Sequence, residues 1–285
     1  MPDTHTAMLA RDDSGSHGKA SDIAGRDMPA SLSAEMRGEI AILRLSRPAK
    51  RNALDLATVQ GIGRFFSTLA PSVRAVVLHG EGAHFCAGVD LASVAEIDTS
   101  TALRGTRAWH RVFDQIEYGD VPVIAVLHGA VVGGGLELAA AAHIRVAERG
   151  TFYGLPEGGR GIFVGGGASV RVPRLIGVPR MMDMMLTGRT YGAEEGQALG
   201  LSHYLAEPGD GLSKGIEIAL RAAANAPLSN FAIIHALPRA ARADPETGLL
   251  LESLMFSVAA TEDEARGRIR AFLEKRAPKV SEPGT

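Results

Sequence analysis

The sequence predicts an α/β protein with an all-helical C-terminal segment, and two observations indicate this. Up to about residue 206, short apolar stretches typical of buried strands alternate with longer stretches whose apolar residues recur at helical spacing. From there to residue 275, every predicted element is a helix. Periodicity alone does not choose between an open doubly wound sheet and a spiral of ββα units.

Several short apolar runs have the length and composition of buried strands, and each ends at glycine, proline or polar residues. The most clearly apolar run reads Val-Pro-Val-Ile-Ala-Val-Leu and leads into a glycine-rich turn. We predict strands over residues 39–45, 73–79, 121–127, 144–147, 151–153 and 202–205.

Longer segments between and after these strands have helical periodicity. The first begins after Asp55, a suitable N-cap, and ends before Pro71, which cannot continue a helix. In the second, Leu103, Val112 and Phe113 recur at the spacing of a buried face. We predict helices over residues 55–69, 101–118, 136–142, 179–186, 193–198, 212–224, 229–241, 246–260 and 262–275.

The overall composition narrows the class of protein. The chain has 285 residues and a net charge of −2, which argues against the basic surface that nucleic-acid binding needs. Cys86 is the only cysteine, so no intrachain disulfide can form, as is usual in a reducing compartment. No apolar run reaches the ~18 residues that span a membrane. We therefore expect a cytoplasmic protein.

Composition also divides the chain into three segments. Residues 1–33 are polar and charged and lack the apolar segment of a signal peptide, so we expect a disordered tail. Residues 34–225 hold the predicted α/β core and the candidate functional groups. Residues 226–285 form the predicted helical segment.

Three consecutive glycines, residues 133–135, connect a predicted strand to a helix. Free N–H groups at a helix N-terminus can bind a carbonyl oxygen, and glycine lets that oxygen approach closely. Such glycines are more often a flexible connection, so alone they do not establish a site. Glu137 follows in the first turn of a helix that is apolar on every side, which predicts a buried carboxylate.

Glu157 follows Pro156 and precedes two glycines. A glutamate in such a loop can equally well be solvated. If it lies near Glu137, burial and mutual repulsion would keep one of the two carboxyls protonated. Such a pair could take a proton from water and give one to carbon, which is what hydration of a double bond requires.

Several motifs occur in the order found in the crotonase (enoyl-CoA hydratase/isomerase) family, which the chain resembles over roughly residues 36–278. The resemblance implies a spiral of ββα units followed by a helical trimerisation segment, and a homotrimer or a dimer of trimers. The motifs are Arg47-Pro48 with Asn52-Ala-Leu54, Phe85-Cys-Ala-Gly-Val-Asp-Leu91, His128-Gly-Ala-Val-Val-Gly-Gly-Gly-Leu-Glu137, Leu155-Pro-Glu157, and Leu186-Thr-Gly-Arg with Ala193-Glu-Glu-Gly and Ala198-Leu-Gly-Leu201.

The resemblance also implies the groups that carry the chemistry. The backbone N–H groups of Val89 and Gly134 would form an oxyanion hole for the thioester carbonyl. Glu137 and Glu157 match the two catalytic glutamates of the family's hydratases. Isomerases of the family often keep only the second of these glutamates.

Binding of coenzyme A is implied at two places. Ala87 and Asp90 match the turn near the adenine end of CoA. Phe272 and Lys275 match a C-terminal Phe-x-x-Lys pattern that often comes from a neighbouring subunit.

The expected reaction is reversible syn-addition of water to a trans-2-enoyl-CoA. CoA is part of the substrate, so no separate cofactor is expected, and the nine histidines show no metal-binding spacing. The alternatives are a double-bond isomerase, another CoA-thioester lyase of the family and, more remotely, a non-catalytic acyl-CoA-binding subunit.

The segment after Glu157 departs from the family pattern. Residues 158–167 lack the usual proline, contain extra glycines and include Arg160 in an apolar context. We expect this loop to leave the acyl pocket adaptable. The sequence therefore does not predict which acyl chain is preferred.

Overall fold

A computed structural model describes residues 28–93 and 95–276. This part of the chain contains nine strands in two sheets. The strands are β1 (Leu32–Arg37), β2 (Ile40–Leu45), β3 (Ala75–Gly80), β4 (Val123–Leu127), β5 (Ala130–Val132), β6 (Ile144–Glu148), β7 (Phe152–Gly154), β8 (Tyr191–Gly192) and β9 (Tyr204–Ala206).

The larger sheet has the order β1-β2-β3-β4-β6-β9. Only β1 and β2 pair antiparallel, and every other neighbouring pair is parallel. The smaller sheet has the order β5-β7-β8. Both faces of the central strands are covered, because every residue of β3 and β4 is buried.

The chain alternates between the two sheets, and this decides the topology that the sequence left open. It passes from β4 to β5 and then to a helix, and from β6 to β7 and then to a helix. Two isolated parallel β-bridges continue this pattern in the earlier part of the chain. One joins Leu54 to Val89, and the other joins Cys86 to Val131 in β5. The fold is therefore a spiral of ββα turns rather than an open doubly wound sheet.

The helices of the core lie between and outside the strands. One of them packs on β3 and β4 through Ile218, Ala219 and Ala223, which covers one face of the larger sheet. The core helices are α1 (Leu56–Ser67), α2 (Thr99–Glu117), α3 (Gly134–Ala141), α4 (Ala168–Ile176), α5 (Val178–Thr187), α6 (Ala193–Leu199) and α7 (Gly211–Ala223).

The C-terminal segment is helical, as the sequence predicts. It contains α8 (Pro227–Phe231), a π-helical turn (Ala232–Ala236), α9 (Leu237–Ala240), α10 (Pro245–Thr261) and α11 (Asp263–Leu273). The predicted helix over residues 229–241 is present as a continuous helical run over residues 227–240, which includes a π turn just before Pro238. Proline has no N–H to donate to the preceding turn, which favours such a π turn.

The predicted N-terminal boundary needs a correction. The first strand begins at Leu32, pairs with β2 and buries Leu32, so the body begins before residue 34. Pro29 already packs on α1, because a Cβ on Gly61 would lie 2.6 Å from the Pro29 Cδ. The rest of the predicted tail, residues 1–27, lies outside the described residues, as do residues 277–285 of the C-terminal segment.

The other differences from the prediction concern short elements and elements next to glycine or proline. Four elements of the structure were not predicted from the sequence, namely β1, β5, β8 and α4. Strand β5 has three residues, and α4 follows a run of glycines and contains Pro173. No helix in the described ranges is long and apolar enough to cross a membrane.

Candidate functional site

The turn at Gly88 and the start of α3 meet closely. A Cβ on Gly88 would lie 2.8 Å from the Val132 carbonyl oxygen and 3.3 Å from the Gly134 nitrogen. Gly88 has a φ of +99°, which a residue with a side chain adopts only under strain. Glycine at this position therefore lets two backbone segments from different turns of the spiral touch.

This meeting leaves two backbone N–H groups side by side. A Cβ on Gly134 would lie 3.3 Å from the Val89 nitrogen. The bonds from Leu54 N–H to the Gly88 oxygen and from Asp90 N–H to the Leu54 oxygen, both 2.8 Å, fix the peptides around Val89. Within the described residues, neither the Val89 nor the Gly134 N–H donates a hydrogen bond. The pair is free to bind an oxygen atom.

Glu137 lies in the first turn of α3 and is 3% exposed, which confirms the predicted burial. Its Oε1 accepts hydrogen bonds from the N–H groups of Gly166 at 2.7 Å and Ala168 at 3.0 Å. Burial raises the pKa of Glu137, while these amide hydrogen bonds oppose the rise. The carboxyl group is therefore buried and also held in one orientation.

Glu157 lies at the end of the turn after β7 and is 6% exposed, so it is not a solvated loop residue. A Cβ on Gly133 would lie 2.6 Å from the Glu157 Oε1, which places the carboxyl at the start of α3. Its Oε2 is buried without a hydrogen-bond partner among the described residues. Burial, with a smaller contribution from the charge of Glu137, raises the pKa of Glu157 to about 7.

Side chains of α2 form another wall of the site, which the sequence analysis did not identify. The Trp109 ring faces Gly134, because a Cβ there would lie 3.2 Å from Trp109 Cζ3. Phe113 packs against Trp109 with ring centroids 5.7 Å apart, and a Cβ on Gly166 would lie 3.0 Å from Phe113 Cε2. These apolar rings line the region between Gly134 and Gly166.

The turn that carries Ala87 and Asp90 is tied to the first turn of the spiral. Ala87 N–H donates to the Arg51 oxygen at 2.9 Å. The Asp90 carboxylate pairs with Arg47 at 3.1 Å and Lys50 at 3.3 Å, and their hydrogen bonds lower its pKa. Asp90 thus has a structural role in holding the turn next to Val89, whatever else it contacts.

Phe272 and Lys275 lie away from this turn in the sequence and on the surface of the C-terminal segment. Phe272 is 62% exposed, and α11 packs chiefly on α10. In the described part of the chain, no hydrogen bond or ion pair joins either residue to Ala87 or Asp90. Within the described chain, no polar contact therefore links the two predicted CoA-contact regions.

The loop over residues 158–167 has two different halves. Its first half, up to Phe163, is exposed, with Phe163 at 69%. In its second half Val164 and Gly166 are buried, and the Gly166 N–H holds Glu137. The expected loose backbone is therefore not uniform, because the half next to Glu137 is fixed by hydrogen bonds.

Metal-ligating side chains do not cluster within residues 28–93 and 95–276. No group of three or more His, Cys, Asp or Glu side chains there could hold a metal ion.

Comparison with known proteins gives one family. The family model described as enoyl-CoA hydratase/isomerase matches residues 35–283. The chain is 33% identical over 242 residues to the 2,3-dehydroadipyl-CoA hydratase of Escherichia coli, covering 84% of this chain and 94% of that protein. It is 31% identical over 245 residues to the short-chain-enoyl-CoA hydratase of Clostridium acetobutylicum, covering 85% and 94%.

Solved structures agree with the sequence relatives. A Rhodopseudomonas palustris protein assigned as an enoyl-CoA hydratase superposes with a TM-score of 0.84 at 54% identity, covering 86% of this chain and 95% of that one. An enoyl-CoA hydratase from Bacillus anthracis superposes with a TM-score of 0.81 at 31% identity, covering 87% and 98%. These similarities confirm the crotonase-like fold expected from the sequence motifs.

Proposed function

Because the chain belongs to the enoyl-CoA hydratase/isomerase family, we propose that it is an enoyl-CoA hydratase, a carbon–oxygen lyase. It adds water reversibly and syn across the double bond of a trans-2-enoyl-CoA and gives a 3-hydroxyacyl-CoA. One observation carries this proposal. Two buried carboxyls, those of Glu137 and Glu157, lie at the start of one helix beside two unpaired backbone N–H groups.

The N–H groups of Val89 and Gly134 bind the thioester carbonyl oxygen in this mechanism. Negative charge develops on that oxygen when water adds to C3, and the N-terminal end of α3 favours it. Removal of one such donor typically costs ~3–4 kcal/mol of transition-state stabilisation. Trp109 covers the same position and keeps bulk water from competing for the N–H groups.

Glu137 acts as the base that orients water and takes its proton. Two backbone N–H groups hold its Oε1, so the other carboxylate oxygen keeps one direction. The same hydrogen bonds favour the ionised form that a base needs, against the effect of burial.

Glu157 acts as the acid that protonates C2. With its pKa raised to about 7, a large fraction of the carboxyl is protonated at neutral pH. An acid with a pKa near the working pH transfers its proton most effectively. No partner competes for its buried Oε2 within the described chain, so that atom is available to the substrate.

Isomerisation of an enoyl-CoA double bond is the alternative, and one observation favours it. Moving a proton between two carbons of one substrate needs a single carboxyl with a pKa near 7, which describes Glu157. Isomerisation leaves the buried and oriented Glu137 without a task, and for that reason we prefer hydration.

No separate cofactor takes part in the proposed reaction, since CoA arrives with the acyl group. Ala87 and Asp90 are proposed to lie beside the adenine end of CoA. Lys50, which pairs with Asp90 and has a 58% exposed side chain, adds a positive charge there. Phe272 and Lys275 are proposed to reach this region from a second copy of the chain.

We also propose that the chain forms a trimer or a dimer of trimers. The support is α10, where only Gly248 is buried although the helix is apolar on several sides. Leu249, Leu250 and Phe256 are 62%, 60% and 72% exposed, more than a helix facing only water should show. Light scattering should give three or six times 29.9 kDa, and a monomer would contradict this proposal.

The reaction is tested with a panel of trans-2-enoyl-CoA thioesters of different chain length. Hydration removes the conjugated double bond, so absorbance of the enoyl thioester should fall until equilibrium. A matched panel of 3-enoyl-CoA thioesters should show little gain of that absorbance. Gain with 3-enoyl substrates and no loss with 2-enoyl substrates would identify an isomerase. Binding without turnover of either panel would identify a non-catalytic acyl-CoA-binding protein.

A further inference from the structure

Arg171 is a buried charged residue that the reaction described above does not use. It lies in α4, and its side chain is 7% exposed. Burial of a guanidinium without partners is costly, so its contacts indicate what it stabilises. It makes three hydrogen bonds, to one backbone carbonyl and to two carboxylates of α2.

The backbone contact of Arg171 lies directly beside the groups that hold Glu137. Its Nη1 donates to the Gly166 carbonyl oxygen at 3.2 Å. The N–H groups of Gly166 and Ala168, on either side of that carbonyl, both donate to the Glu137 Oε1. Fixing this carbonyl therefore restricts the two neighbouring peptide units, which carry the two N–H groups.

The two glycines in this segment fit the same arrangement. A Cβ on Gly166 would lie 2.9 Å from the Glu137 Oε2, and a Cβ on Gly167 would lie 2.2 Å from the Arg171 Nη1. Gly167 also has a φ of +105°. The segment is thus packed between Glu137 on one side and the Arg171 guanidinium on the other.

The other contacts of Arg171 hold the guanidinium in place. Its Nε donates to Glu117 Oε2 at 2.5 Å, and its Nη2 donates to Asp114 Oδ1 at 2.7 Å. Both carboxylates belong to the last turn of α2, the helix that also carries Trp109 and Phe113. A planar guanidinium can bond three acceptors in fixed directions, and a lysine ammonium cannot replace this geometry.

We propose that Arg171 is a positioning residue for Glu137: it locks the residue 166–168 backbone to α2, and this backbone aims the Glu137 carboxylate at the water. The inference deepens the proposed hydration and rests on it for the role of Glu137. Arg171 itself touches no reacting atom. Its loss should therefore lower kcat while leaving the KM for the enoyl-CoA nearly unchanged.

A double-mutant cycle tests this assignment in the full-length protein. Arg171→Lys should lower kcat for hydration by ~10- to 100-fold in the wild-type background, within the range of misplaced catalytic groups. In a Glu137→Gln background, Arg171→Lys should lower kcat by less than about threefold, because the carboxylate that Arg171 orients is already lost. An equal loss in both backgrounds, or an unchanged kcat, would overturn the proposal.

The matched control is Arg174→Lys in the same helix. Arg174 approaches Glu117 at 3.7 Å, its side chain is 41% exposed and its guanidinium makes no bond to residues 166–168 in the described structure. It should keep the wild-type kcat. If Arg171→Lys fails to fold, Asp114→Ala replaces it. The Asp114 side chain is 55% exposed, and its truncation removes the acceptor of the Arg171 Nη2. That variant should lose kcat a few-fold in the wild-type background only, and an equal loss in both backgrounds would overturn the proposal.

A second readout separates this inference from the proposed reaction. Amide hydrogen exchange at residues 166–168 should be faster in Arg171→Lys than in Arg174→Lys. If the wild-type protein hydrates no enoyl-CoA but this exchange difference is found, the proposed hydration fails and the positioning of the segment stands. If hydration is found and exchange is unchanged, the positioning role of Arg171 is wrong.

Discussion

Two segments line the site and each carries one carboxyl group. We call them its two walls, and the two carboxyl groups differ in their hydrogen bonding. At the start of α3, Glu137 accepts two backbone hydrogen bonds and is fixed in one orientation. In the turn after β7, Glu157 has a buried Oε2 without a partner in the described chain and a pKa of about 7. Their different surroundings therefore suit Glu137 and Glu157 to different tasks. A held carboxylate suits a base that must aim water, and an unpaired carboxyl suits an acid that gives up its proton.

The largest effect is expected at the wall that carries the acid. Glu157→Gln keeps the shape of the side chain but cannot donate a carboxyl proton to C2. We expect hydration to fall by ~10³- to 10⁴-fold, at the upper end of general acid–base effects, and any isomerase side activity to disappear. Steady-state kinetics with a 2-enoyl and a 3-enoyl substrate measure both. Retention of more than a tenth of the hydration rate would show that Glu157 is not the acid.

The wall that carries Glu137 can be disturbed without changing a carboxyl. Gly166→Ala places a Cβ 2.9 Å from the Glu137 Oε2 and 3.0 Å from Phe113 Cε2, so the carboxyl has to move. We expect kcat to fall by ~10- to 100-fold with little change in acyl-CoA affinity, the scale of a misplaced catalytic group. Gly159→Ala is the matched control in the same loop, because no atom lies within 4 Å of its added Cβ. Equal activity of the two variants would show that the position of Glu137 does not matter.

The pH dependence should reveal the different protonation states of the two walls. Glu157 must be protonated to act as the acid, so kcat/KM should fall as pH rises through about 7. Well above that pH the loss should approach tenfold per pH unit. Glu137→Gln should keep this alkaline limb in its residual activity. A flat profile between pH 6 and pH 9 would contradict the assignment of the acid.

The smallest effect concerns stability and has a definite sign. Burial raises the pKa of Glu157 in the folded state from the ordinary glutamate value of 4.5 to about 7, so folding favours the protonated form. This contribution is fully present below about pH 4.5 and is lost as pH rises through about 7. Above pH 7 the folded protein carries a cost of about 3 kcal/mol that Glu157→Gln removes.

Thermal unfolding at pH 5 and pH 8 measures this cost. Glu157→Gln should raise the midpoint by several degrees at pH 8 and by much less at pH 5. Glu137→Gln should gain less at pH 8, because a glutamine loses the charge-assisted hydrogen bonds that the carboxylate accepts from the N–H groups of Gly166 and Ala168. A larger gain for Glu137→Gln would reverse the comparison between the two walls.

The burial of the two carboxyl groups could not be predicted equally well from the sequence. Asp55 as the N-cap of α1 and Glu137 in a fully apolar helix are local features, and both predictions are confirmed. The burial of Glu157 could not be predicted, because it depends on Gly133 from a distant part of the chain. The same motifs that identify the family placed these groups in the right order but gave no distances.

Residues that act through long-range contacts were missed altogether. Trp109 reaches Gly134 only after α2 has packed across α3, and nothing in the spacing of α2 predicts that contact. Arg171 resembles a surface arginine in the sequence, since its partners on α2 are 54 and 57 residues away. A charged side chain among apolar neighbours in α4 was the only local signal. The short strand β5 and the start of α4, which follows a run of glycines, were missed for another reason. Too few residues there show a periodic pattern.

The central claim is that both walls take part in hydration, and Glu137→Gln tests it most directly. Hydration and isomerisation should be measured with this variant on matched 2-enoyl and 3-enoyl thioesters, together with acyl-CoA affinity. We predict a ~10²- to 10⁴-fold loss of hydration with little change in affinity, because the N–H groups of Val89 and Gly134 remain. If Glu137→Gln keeps full turnover while Glu157→Gln loses it, the protein is a one-carboxyl isomerase and the account is wrong.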